Sequence, residues 1–188
     1  MLQSHLIATV NQKVLSLLAK LSDQEFYERE VARKLGISYG SANRALNELY
    51  STGDVTRRRE GKMYFYSIDS STAAFTEFKK MVNLMLVEPL VEKIKKMSSR
   101  IILYGSCSLG IDTSESDLDL FVVSNSKEDV SNVISDFNFP MGFGDIHIQS
   151  VIRTPVELLE GGGAEQTFME EVERGIVLWE RAASESRV

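Results

Sequence analysis

With 188 residues, 43% of them hydrophobic, the chain is long enough for one or two globular domains with a real core. No apolar run could span a bilayer, no basic-then-apolar leader opens the chain, and the single cysteine, Cys107, cannot form an internal disulfide. Membrane partners are therefore excluded, and a reducing cytoplasm is the expected compartment. The net charge of -6 is unevenly spread: +2 over residues 1–70, +3 over 71–100 and -11 over 101–188. Broad nucleic-acid binding by the acidic half is excluded, because phosphate contacts rest on Lys and Arg, and two units with different partners are expected.

In chain order, Leu6, Val10, Val14, Leu17, Leu18 and Leu21 recur at helical spacing. Phe26 to Leu35 predicts a second helix, stopped by Gly36. Ser38 can cap a third helix that runs to about Thr52, with Gly53 after it. Val55 to Arg59 and Met63 to Ile68 then read as two strands joined at Glu60-Gly61. On the third helix Ala42, Ala45, Leu46 and Leu49 make the apolar side, and Gly40, Asn43, Arg44 and Asn47 the opposite one.

Three helices and a hairpin, with the short link Gly36-Ile37-Ser38, resemble the winged helix-turn-helix family of DNA-binding domains. The resemblance runs through "LYSTGDVTRRREGKMYFYSI" and implies DNA as a partner. It implies base-edge contacts from Asn43, Arg44 and Asn47, and phosphate contacts from Arg57, Arg58, Arg59 and Lys62. A single module of this kind binds weakly, so a homodimer on a two-fold site is expected. The acids Asp23, Glu25, Glu28 and Glu30 offset that basic group, which keeps a protein-docking role in view.

Ser70 to Met97 is mostly helical, and Pro89 predicts two helices meeting near Glu88. Ile101-Ile102-Leu103 then feeds a Gly105-Ser106 turn, and a second apolar run carries Asp117 and Asp119. In a strand, side chains at i and i+2 project to one side, so these carboxylates stand together and call for a cation or a proton. A glycine turn beside them admits a bulky anion, and Ser106 can hold its oxygens. Gly105 and Gly110 have Walker A spacing, but Ile111-Asp112 stand where Lys and Ser or Thr belong, so a P-loop is excluded. Mg²⁺ or Mn²⁺ on Asp117 and Asp119 would neutralise the phosphates instead. Asp112 and Glu115 are expected in a solvated loop. Farther on, Glu128 to Asp136 reads as a helix, Gly144 to Arg153 as a strand, Pro155 to Glu160 and Glu165 to Arg174 as helices around Gly161-Gly162-Gly163, and Ile176 to Trp179 as a last strand.

The stretch "LYGSCSLGIDTSESDLDLFVV" resembles the minimal nucleotidyltransferases of the DNA polymerase beta superfamily, and the resemblance covers residues 100 to 180. It implies an α/β or α+β domain with a mixed sheet, an NTP such as ATP as substrate, and two divalent metal ions. Asp117 and Asp119 would be catalytic metal ligands, and Gly105, Ser106 and Ser116 would bind the nucleotide. A third carboxylate is implied on a neighbouring strand. Asp145 is the only acid on its face of "GDIHIQSVIR", while counting back from Thr154-Pro155 puts His147 there instead. Leu109 stands near a position that is basic in many relatives. Relatives also act as antitoxins on HEPN-domain partners, which a fused DNA-binding domain would suit. The expected organisation is a winged helix-turn-helix over residues 1–70, linking helices over 71–97 and a nucleotidyltransferase domain over 98–188.

Overall fold

The computed structural model describes residues 6–139, 142–143, 146–160 and 166–181. The first helix, α1 (Val10–Lys20), is opened by a capping box: Gln12 N–H donates to Thr9 Oγ1 at 3.2 Å, and Thr9 N–H donates to Gln12 Oε1 at 2.9 Å. Helix α2 (Glu28–Leu35) ends at Gly36, and α3 (Tyr39–Thr52) starts on Ser38 and ends at Gly53. Strands β1 (Thr56–Glu60) and β2 (Met63–Ser67) pair antiparallel with Glu60 opposite Met63. The hairpin turn is thus Gly61-Lys62, one residue later than its sequence reading.

The described residues divide into two compact units, one drawn from Met1–Leu86, Gly110–Glu115 and Phe139–Ile146, the other from Val87–Leu109, Ser116–Asn138 and His147–Val188. In the first unit, the apolar stripes of the three helices meet in a core of Val14, Leu17, Leu18, Val31, Ala42, Ala45, Leu46 and Tyr66. Phe26 and Tyr66 exchange backbone hydrogen bonds at 2.9 and 2.8 Å, tying the segment before α2 to the hairpin.

Helix α4 spans Ala73–Ile94 without interruption, so the expected break near Glu88 does not occur. Pro89 cannot donate a backbone hydrogen bond, but Leu86, Val87, Leu90 and Ile94 are fully buried around it, and their packing holds the helix across the missing bond. A 3-10 turn, Lys95–Met97, follows.

The second unit is built on a mixed sheet of β3 (Arg100–Tyr104), β4 (Leu118–Val123), β5 (Ile148–Arg153) and β6 (Ile176–Glu180) in the order β5-β4-β3-β6. Strand β3 is antiparallel to β4 and β6, and β4 is parallel to β5. The parallel step needs a crossover, which contains α6 (Lys127–Ser135). The short α5 (Gly105–Leu109) joins β3 to the loop before β4, and α7 (Pro155–Glu160) and α8 (Gln166–Glu173) lie between β5 and β6. Leu158, Phe168, Met169 and Val172 pack on Ile102, Tyr104, Phe121 and Val123 on one sheet face, and Ile101, Leu103, Leu120 and Val122 are buried on the other. The architecture is α+β with a mixed sheet. No helix of the described residues is long and apolar enough to cross a membrane.

Asp112 is not in a solvated loop. It is 2% exposed and lies among α1 and α4 side chains of the first unit. Lys20 Nζ donates to Asp112 Oδ2 at 2.7 Å, and Asn83 Nδ2 donates to Oδ1 at 2.8 Å. Lys79 Nζ, also buried, donates to the Asp112 carbonyl and to Ser22 Oγ. A carboxylate this deep needs such partners, because burial without them costs several kcal/mol. Asp112→Ala is expected to destabilise the chain by about 3–5 kcal/mol, since it removes the carboxylate that neutralises buried Lys20 at 2.7 Å and stands 3.9 Å from buried Lys79. Urea unfolding at constant m-value measures this, and a loss under about 1 kcal/mol, the level of a surface pair, would contradict it.

Candidate active site

Strand β3 delivers Gly105 to a position only glycine fills. Its φ is +67°, and a Cβ there would lie 2.3 Å from Asp119 Oδ2. The cause is the β3–β4 register, in which Tyr104 faces Asp119. Asp119 lies half-exposed between the fully buried Leu118 and Leu120 of β4, and Asp117, also half-exposed, stands just before the strand and acts electrostatically on Asp119. Asp119 is held above the ordinary carboxylate range, first by burial and then by the charges of Asp117 and Glu171.

The turn around these acids is internally braced. Ser108 Oγ donates to the Gly105 carbonyl at 2.7 Å, and the buried Cys107 thiol donates to the Asp117 carbonyl at 3.4 Å. Cys107 is thus a packing residue beneath the site. Ser106 and Ser116 are half-buried, and Leu109 is exposed.

His147 is the neighbour of Asp117: its Nδ1 lies 3.2 Å from Asp117 Oδ1, and its carbonyl accepts from Leu118 N–H at 2.9 Å. Strand β5 begins only at Ile148, so His147 sits just before the ladder rather than within it. Asp145 lies outside the described residues. Among the described residues, no three His, Cys, Asp or Glu side chains converge as a ready ligand set.

Two contributors were missed from the sequence. Glu171, on α8, raises both Asp119 and Tyr104 electrostatically from 52 and 67 positions away, where no local pattern could point to it. Tyr104, buried beneath the site, stacks edge-on against Phe168 at 5.7 Å and so ties the floor of the site to α8.

In the first unit, the expected DNA-contacting residues fall into two groups. Asn47 Nδ2 donates to the Asn43 carbonyl at 2.8 Å, and Arg57 NH1 donates to Asn47 Oδ1 at 3.0 Å. Arg57 lies between the Tyr50 and Tyr64 rings, 4.0 and 4.3 Å from their centroids. Arg58 pairs with Glu25 at 2.6 Å and Glu60 at 2.5 Å. Arg59 donates to the Gly61 carbonyl, and Arg44 and Lys62 are exposed. The dense basic run is therefore largely engaged within its own unit.

Residues 85–172, just under half of the chain, match the family model of the nucleotidyltransferase domain, and the match includes Gly105, Asp117 and Asp119. Among solved structures, a Sulfolobus solfataricus protein provisionally named a nucleotidyltransferase is 15% identical with a TM-score of 0.38, over 60% of this chain and 93% of that one. A hypothetical protein, PyrSV_gp04 of Pyrobaculum spherical virus, is 23% identical with a TM-score of 0.29, over 48% of this chain and 57% of that one. Nothing among the curated proteins matches. The family match supports nucleotidyl transfer, with a nucleotide as substrate, at the level of the domain.

A carboxyl whose folded pKa is raised stabilises least when ionised, so its contribution falls as pH rises from the ordinary carboxylate value through the raised one. Asp119→Asn should therefore raise the thermal midpoint at neutral pH in a chelator and flatten its decline between acidic and neutral pH. Identical pH slopes in variant and wild type would show that Asp119 ionises as freely in the folded chain as in the unfolded one.

Proposed function

We propose that the chain is a metal-dependent nucleotidyltransferase that moves a nucleoside monophosphate from an NTP to a hydroxyl acceptor. The observation that carries this is the Asp117–Asp119 pair set against the side-chain-free Gly105. Two neighbouring hard oxygen donors, one of them charged only at a cost, suit Mg²⁺ or Mn²⁺, and the missing Cβ at Gly105 makes room for Asp119 Oδ2 against the turn. These residues fit a divalent ion and would hold it. The ion would neutralise the triphosphate and acidify the acceptor hydroxyl.

Gly105 lets the backbone approach the triphosphate, and the half-buried Ser106 and Ser116 would bind its oxygens. The acceptor oxygen bonds to the α-phosphorus as the α–β bridging bond breaks and pyrophosphate leaves. Its proton passes to a carboxylate. Asp145 is assigned that third place, with His147 the competitor through its position on Asp117. Incubation with labelled ATP, Mg²⁺ and a broad set of hydroxyl acceptors should yield labelled product and pyrophosphate. Asp117→Asn and Asp119→Asn should each cut the rate by at least a hundredfold, and wild-type turnover no faster than the double variant refutes the transferase reading.

His147 favours a second reading. An imidazole on Asp117 at the edge of the acidic pair would weaken a second metal position, leaving a domain that binds nucleotide without turnover. Nucleotide-dependent DNA affinity without product formation would identify such a sensor.

For the first unit we infer a winged helix that binds DNA as a homodimer, with Arg59 and Lys62 on phosphates and Asn43, Arg44 and Asn47 toward the bases. The three helices with a hairpin support this, as do the exposed Arg44 and Lys62. An antitoxin-like role toward a HEPN-type partner extends the same reading. Lys62→Ala should lower the slope of log affinity against log salt by about one and Arg44→Ala should cost about 1–3 kcal/mol and relax sequence preference, whereas Arg58→Ala, already paired with two glutamates, should change the slope little. Fluorescence anisotropy with duplex DNA measures this, and salt-insensitive or absent binding refutes it.

A further inference from the structure

The second unit has a basic aromatic cavity far along β3 from Gly105. Lys95, Lys96, Trp179 and Arg181 line about 320 Å³. Arg100 pairs with Glu180 and Ile101 with Trp179, so the cavity lies at the opposite end of β3 from Tyr104 and Gly105. Four strand residues separate the ends by roughly 13 Å. The cavity therefore does not overlap the acidic pair.

Its composition runs against its surroundings. Residues 101–188 carry a net charge of -11, yet their Arg181 meets Lys95 and Lys96 of the basic stretch before them around the only tryptophan of the chain. Arg181 is held in place: its NH2 donates to the carbonyls of Lys96 and Ser98 at 3.2 and 3.4 Å, and its guanidinium lies 5.9 Å from the Trp179 ring centroid. Lys95 is paired with Glu92 at 2.7 Å. Among the described residues, no acid reaches Lys96 or Arg181 within salt-bridge distance. A fixed guanidinium and an exposed ammonium beside a half-buried indole are a phosphate site joined to a stacking platform.

We propose that this cavity binds single-stranded nucleic acid, with one base stacked on Trp179 and the flanking phosphates on Lys96 and Arg181. The proposal is independent of catalysis at Asp117 and Asp119. A duplex is excluded by chemistry, because its base faces are covered by their neighbours, whereas an unpaired base offers one to the indole. An acidic peptide would satisfy the cations but not the ring.

Trp179 is its own reporter. Titrating the full chain with single-stranded RNA and DNA oligonucleotides of one sequence should quench its emission, with a log–log salt slope of about -1.4 for the two phosphate contacts of Lys96 and Arg181. Lys96→Glu and Arg181→Ala should each weaken binding roughly tenfold, while Trp179→Phe, followed with a labelled oligonucleotide, should retain more affinity than Trp179→Ala. Quenching by either sugar supports the site, and a preference for RNA would add a 2′-hydroxyl contact. Equal quenching by polyglutamate of matched charge, by duplex or by a mononucleotide at the same concentration overturns the proposal. Unchanged emission at saturating oligonucleotide, or full affinity in Lys96→Glu, also overturns it.

Discussion

The second unit turns on the approach of Asp119 to Gly105. Antiparallel pairing of β3 with β4 brings a carboxylate oxygen into the space where any other residue would have its Cβ. Asp117, two residues earlier, adds a second negative charge nearby, and burial makes the charge on Asp119 costlier. The sheet supplies the rigidity for this arrangement, since Leu118, Leu120 and Phe121 anchor β4 in the core between and beyond the acids. A site built on strand ends tolerates such repulsion because its backbone is held by ladders on both sides. A divalent ion held by Asp117 and Asp119 would offset that repulsion, so the feature that costs stability in the free chain is the one that would bind a ligand.

The first unit shows the same chemistry used for structure. Its most buried charges, Lys20, Lys79 and Asp112, satisfy one another and Asn83 rather than any ligand, and they hold Gly110–Glu115 to α1 and α4. Its basic hairpin is drawn inward as well. Arg57 packs between tyrosine rings and Arg58 is matched by two glutamates, which leaves a smaller set of cations for phosphate than the run of three arginines suggests. A count of Lys and Arg measures the total charge, whereas an interface depends on the part of it that neighbouring acids leave unneutralised.

Local rules carried far through this sequence. Apolar spacing marked α1, glycine stops and a capping serine marked α2 and α3, and the i, i+2 spacing pointed to Asp117 and Asp119 as neighbours, which the effect of Asp117 on Asp119 matches. These features are legible because each depends on residues a few positions apart. Pro89 shows where the rule ends: its local effect is to break a helix, and burial of the surrounding residues overrides it.

By itself, then, the sequence determined the order of helices and strands, the glycine turn and the nearness of the acidic pair, because backbone periodicity and turn chemistry are short-ranged. Only the tertiary structure decided that Asp112 is buried against a lysine 92 residues away, that Glu171 acts on Asp119, that His147 stands on Asp117, and that Trp179 gathers cations at the far end of β3. Those outcomes depend on which strands pair and in what register, and pairing is set by the burial of whole faces rather than by the residues at any one site.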